Sequence, residues 1–175
     1  AVFNDGKPTQ SAIKLADNDR LTVSELIEAR DLVKPSLVVL SACETGLYDQ
    51  KVLPNEFVGL PAAFLQAGAA GVIATLWPIY DIAPTLVLSY FYELYIDRKL
   101  SPRAALRAAQ VWLRDSSAKD VCSVLTRWAE EGRISAGDAA ALRDSIMLKS
   151  RRTYGAGRTL FSHPIYWGGF VYYGA

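Results

Sequence analysis

Histidine and cysteine are scarce in this chain, with one histidine and two cysteines among 175 residues. Cys43 and Cys122 stand far apart and show no Cys-x-x-Cys spacing. That argues against a disulfide framework and against a zinc site, and it fits a reducing compartment, with the cytoplasm as the expected location. A lone His163 weakens any metal reading further. No Gly-x-Gly-x-x-Gly loop follows either apolar run, so neither a nucleotide cofactor nor any other is expected. Repeats of solenoid period and low-complexity tracts are also missing. No basic-then-apolar leader opens the chain, which begins on Ala rather than Met and reads as a piece of something longer.

Charge is scarce in one long stretch. Between Phe57 and Tyr92 only Asp81 is charged, a length sufficient to span a bilayer. Pro61, Gln66, the run "GAAG" at 68–71, Pro78 and Pro84 cut it into short helix-like and strand-like pieces, as in a buried α/β core, so no membrane partner is expected. Elsewhere charge is uneven. Residues 93–175 carry thirteen Lys/Arg against eight Asp/Glu, with a cluster in "KSRR" at 149–152. Nucleic-acid binding would need aromatics interleaved with arginine on one surface, whereas the aromatics here fall in apolar runs. Solvated helix faces account for the count.

What the chain does have is 51% apolar residues in a length suited to one domain. "SAIKLA" (11–16) predicts a strand ending at the turn-forming "DND" (17–19). Thr22 lies three residues before Glu25, a capping-box spacing that opens a helix over about 23–31. "SLVVLSA" (36–42) and "GVIATLW" (71–77) lack polar alternation and predict strands covered on both faces. Between them "EFVGLPAAFLQA" (56–67) predicts a helix stopped by Gly68. Asp81 is placed to cap a helix over about 82–97, and Ser101-Pro102 opens another to Asp115. Two amphipathic helices split around 131–135 fill 117–149, and "PIYWGGFVYYGA" (164–175) predicts a closing strand. Strands alternating with helices imply an α/β fold with a parallel sheet.

In such sheets functional groups gather at the carboxyl ends of strands. Cys43, in "LVVLSACETG" (37–46), occupies that place. A buried core cysteine is one reading, and a nucleophile at the sheet rim is the other. A free thiol is mostly protonated at neutral pH, and the neighbouring Glu44 would raise its pKa, so a nucleophilic Cys43 needs a base from another segment. His163, in "FSHPIYW", reads as a core-edge histidine satisfied by backbone rather than as that base.

"LVVLSACETG", "PAAFLQAGAAGVIATLWPIYD", "SPRAALRAAQVWLRD" and "HPIYWGGFVYYG" resemble, in order, the CHAT family of caspase-like, separase-related clan CD domains. The opening "AVFNDGKPTQSAIKLADNDRLTVSEL" looks like the segment after the catalytic histidine in that family. The resemblance covers residues 1–175 as the C-terminal part of one domain, apart from a variable helical insertion at about 116–160. It implies a caspase-haemoglobinase-like three-layer sandwich with a mostly parallel sheet, here lacking its N-terminal strands.

The resemblance also implies a cysteine endopeptidase that hydrolyses a protein or peptide substrate through a Cys-His dyad. Cys43 matches the nucleophile, and the partner histidine would fall immediately before Ala1. The backbone N–H groups of Cys43 and Ala1 would form the oxyanion hole. Asp49 in the loop after Cys43, with Trp77 and Asp81 past the next strand, would line the substrate cleft. His163 matches a structural segment of the family. Upstream tetratricopeptide repeats or a partner would regulate the activity, and this fragment alone is expected to be inactive. The alternative is a catalytically silent interaction module of the same fold.

Overall fold

In a computed structural model the described residues are 8–28, 35–40, 59–79, 82–153 and 159–175. The chain divides into two compact units, Ala1–Ile79 with Gly169–Ala175, and Tyr80–Gly168.

The first unit carries both sheets. Strand β1 (Ala12–Lys14) ends in a turn where Asp17 and Asn18 adopt left-handed φ of 53° and 65°. The chain then returns as β2 (Arg20–Thr22), antiparallel to β1. The turn falls where "DND" predicted it. The returning strand "RLT" is too short and polar for periodicity to reveal. Helix α1 (Val23–Glu28) opens on the expected capping box: Glu25 N–H donates to Thr22 Oγ1 at 3.2 Å, and Thr22 N–H donates to Glu25 Oε2 at 2.8 Å. Two of the orphan N–H groups at the helix start are thereby satisfied.

The second sheet has the order β3 (Val38–Val39), β4 (Gly71–Thr75), β5 (Phe170–Gly174). β3 and β4 are parallel, with Val38 opposite Val72, whereas β5 runs antiparallel to β4 with Phe170 opposite Thr75. Among the described residues the expected parallel order therefore holds for one pairing of this sheet and not for the other. All five β4 residues are buried, as an uninterrupted apolar run requires. Val72 and Ala74 pack with Val23, Leu26, Leu40, Leu60 and Ala63 in one core cluster that joins the sheet to α1 and α2 (Leu60–Gln66).

Helix α2 stops where glycine was expected to stop it. Gly68, at φ 102°, donates its N–H to Leu65 O at 3.0 Å, and Ala69 N–H donates to Phe64 O at 2.9 Å. This is the double closure that satisfies the last helical carbonyls. Gly71 opens β4 because the Tyr172 ring lies where a Cβ would project, with Oη only 2.6 Å from that point.

The closing strand is shorter than predicted. Pro164–Tyr166 forms a 3-10 turn, and β5 starts only at Phe170. Pro164 has no N–H to give a ladder, and the chain folds back through Gly168 N–H to Pro164 O at 2.7 Å.

The second unit is helical. α3 (Ala83–Tyr92) continues into a π-turn at Glu93–Asp97, followed by α4 (Pro102–Asp115), α5 (Ala118–Glu130) and α6 (Ala136–Thr153). α3 packs on α4, with Tyr90 stacked on Trp112 at 4.3 Å between ring centroids, and Leu86, Val87 and Phe91 of α3 and Ala105, Ala109 and Leu113 of α4 are buried. α5 packs on α6, burying Val121, Leu125 and Trp128 with Ala139 and Ile146. Ser101 caps α4 as expected, accepting from Ala104 N–H at 3.3 Å. Ile82, which precedes α3 with helical backbone angles, makes no side-chain cap, and Asp81, expected to cap this helix, lies outside the described residues. The charge-poor stretch from Phe57 to Tyr92 thus contains α2, β4 and α3, and no described helix is long and apolar enough to cross a membrane.

Candidate functional site

Because β3 and β4 are parallel, their carboxyl ends lie on one side of the sheet. Leu40 N–H donates to Ile73 O at 2.8 Å, carrying the β3 ladder one residue past Val39. Cys43 follows Leu40 by three residues in sequence, and Leu40 and its partner Ile73 are both buried. Cys43 itself lies outside the described residues, as do Ala1, Asp49 and Asp81.

Trp77 is the expected cleft residue that is described. It stands half-buried two residues past the end of β4, where Leu76 N–H donates to Gly169 O at 2.9 Å and so ties the exit of β4 to the entry of β5. Trp77 Cε2 lies 3.0 Å from where a Gly169 Cβ would stand, and Ile79 Cδ1 lies 2.9 Å from it. A glycine is thus needed for the Trp77 ring to seat over the β4–β5 junction. This fixes the residue at the carboxyl end of the strand beside β3, where a cleft wall was expected.

His163 takes the role its position suggested, although it is exposed. Its Nδ1 accepts from Ile165 N–H at 3.2 Å, capping the 3-10 turn. Cys122 sits half-buried on α5, and burial pushes its thiol above the ordinary cysteine range. A protonated thiol is a poor nucleophile, which sets Cys122 apart from a reactive cysteine. Among the described residues no group of three or more His, Cys, Asp or Glu is placed to hold a metal ion.

The sequence reading missed the strongest charge cluster of the helical unit. Glu93, 3% exposed, accepts from Arg127 at 2.8 Å, from Trp128 Nε1 at 2.7 Å and from Arg98 at 3.2 Å. Burial alone would raise its pKa, but these bonds, led by Arg127 and then Trp128, hold the carboxyl below its ordinary range. Arg127 also bonds Glu131, and Arg133 bonds both Glu131 and Asp97. The basic count of the second half thus resolves partly into paired helix faces. The available signal was Glu93 as the one charge between Ile82 and Ile96, since a carboxylate in so apolar a run needs donors from elsewhere.

The sequence model of the CHAT domain family matches residues 1–175, the whole chain. Among curated proteins none matches it.

Proposed function

Because this chain belongs to the CHAT domain family, and through it to the caspase-like clan CD, we propose that it supplies the nucleophile-bearing part of a cysteine endopeptidase. The observation that carries the proposal is the whole-chain family match, and the stretch "SACETG" that holds Cys43 follows directly in sequence on Leu40, at the end of the described β3 ladder. In this reading a histidine immediately before Ala1 removes the Cys43 proton, and the thiolate attacks the carbonyl carbon of a substrate peptide bond. The N–H groups of Cys43 and Ala1 meet the resulting oxyanion. The histidinium returns its proton to the departing amine, leaving a thioester that water hydrolyses to regenerate the thiol.

The substrate is a protein or peptide, held between the loop that carries Asp49 and the Trp77–Asp81 segment. Upstream tetratricopeptide repeats or a partner would supply control, and the setting is the reducing cytoplasm. Cysteine usage supports that setting.

The test is proteolysis by the full-length protein of a diverse peptide library, compared with its Cys43→Ala and Cys122→Ala variants. Cleavage lost with Cys43→Ala and kept with Cys122→Ala supports the reading. Cleavage by none of the three, under conditions where the fold is intact, leaves the silent interaction module.

A further inference from the structure

Gly169 stands immediately before β5, and the segment that leaves β4 closes on it within the first unit. Leu76 N–H donates to Gly169 O at 2.9 Å. Trp77 and Ile79, alternate residues of that segment, both come down on the same spot. A Cβ at position 169 would meet Ile79 Cδ1 at 2.9 Å, Ile79 Cγ1 at 3.0 Å and Trp77 Cε2 at 3.0 Å. The backbone itself does not call for glycine, because Gly169 is not among the residues with positive φ. What excludes a side chain there is the room that the two neighbours occupy.

Those neighbours differ in how they could yield. Cδ1 is the free end of Ile79 and can turn to another rotamer. Cε2 is a ring-fusion carbon, so it moves only when the whole Trp77 indole swings. Lifting the backbone is no easier. The Leu76 bond to Gly169 O extends the β4–β5 ladder past the pairing of Thr75 with Phe170, and breaking it strands two polar groups. A side chain at 169 therefore displaces the indole rather than the segment that carries it.

We propose that Gly169 is a positioning residue for substrate binding. By leaving room for the Trp77 indole, it sets where that ring stands at the carboxyl end of β4, and so the shape of the subsite that Trp77 walls. The proposal rests on the peptidase reading, which puts Trp77 in the substrate cleft. Cys43 has no part in the contact, so a displaced ring should weaken substrate binding while the chemical step persists.

The test uses the full-length protein labelled with fluorotryptophan, the Trp77 signal being assigned by its loss in Trp77→Phe. In Gly169→Ala the Trp77 fluorine signal should shift, while those of Trp112 and Trp128 stay in place. On a peptide that the wild type cleaves, the same variant should raise KM about tenfold and keep kcat within about twofold. It should add nothing to Trp77→Ala, where no ring is left to displace. Should Gly169→Ala misfold, Gly169→Ala combined with Ile79→Ala, which empties one side of the contact, carries the same expectations. An unmoved Trp77 signal overturns the proposal whatever the kinetics. A moved signal with KM unchanged overturns it too, as does a loss confined to kcat or a full additive effect on Trp77→Ala. Absence of cleavage by the wild type removes the peptidase reading and this proposal together, which sets that failure apart from the others.

Discussion

Trp128 on α5 donates its indole N–H to Glu93 at 2.7 Å, burying a carboxylate at the π-turn that follows α3. The two residues lie 35 apart in sequence, and the bond ties the α3–α4 pair to the α5–α6 pair within the helical unit. Arg127 and Arg98 complete the charge balance from more exposed positions.

Glu93→Gln keeps the shape and one acceptor for the indole but removes the charge. Because both arginines can turn to water, the expected loss is about 1–3 kcal/mol rather than the full cost of a stranded buried ion. Urea unfolding at pH 7, followed by tryptophan fluorescence, measures it.

Acid should expose the same carboxylate. Its pKa is lower in the folded chain than in the unfolded one, so its contribution is present in full above the unfolded value of about 4.3 and is lost as pH falls through the folded value. Wild type should lose stability over that window more steeply than Glu93→Gln. Parallel acid limbs for the two proteins would remove Glu93 from the account.

Gly71→Val should destabilise the sheet by about 1–3 kcal/mol, because its side chain would meet the Tyr172 ring. Combined with Tyr172→Ala the penalty should shrink, giving a non-additive cycle. Additive losses would place the cost in the backbone instead.

Local signals were the most legible in the sequence. Thr22 and Glu25, Ser101 and Pro102, and Gly68 each act within one helical turn, so their spacing alone reveals the structure. The continuous apolar run of β4 was equally plain. The start of β5 was misjudged because alternating aromatics resemble a strand even where Pro164 and the His163 cap bend the chain. The π-turn left no trace, since a five-residue hydrogen-bond step does not disturb a short apolar pattern. At the candidate site, Trp77 was legible as a residue just past a strand end, but its seat over Gly169 depends on a segment ninety residues away. Cys43 was singled out by its place after an apolar run as well as by family resemblance, and Cys43, Ala1, Asp49 and Asp81 lie outside the described part of the chain.

Asp81→Asn addresses substrate choice. Asn keeps a capping side chain but removes the charge, and in the proposed cleft the Asp81 carboxylate would pair with a basic side chain before the scissile bond. Sequencing the sites cut in a peptide library should show the preference for Arg or Lys reduced at least tenfold. Unchanged site preference would remove Asp81 from the cleft.

The most direct measurement of the central claim is covalent capture of the nucleophile. The full-length protein is treated at neutral pH with a peptidyl acyloxymethyl ketone, and the modified cysteine is mapped by peptide mass spectrometry. A thiol activated by a neighbouring base reacts far faster than one kept protonated by burial, as Cys122 is. The account predicts a stoichiometric adduct on Cys43, none on Cys122, and loss of the adduct when a histidine preceding Ala1 is replaced by alanine. An adduct on Cys122 with Cys43 unmodified, or labelling of Cys43 indifferent to that histidine, would contradict it.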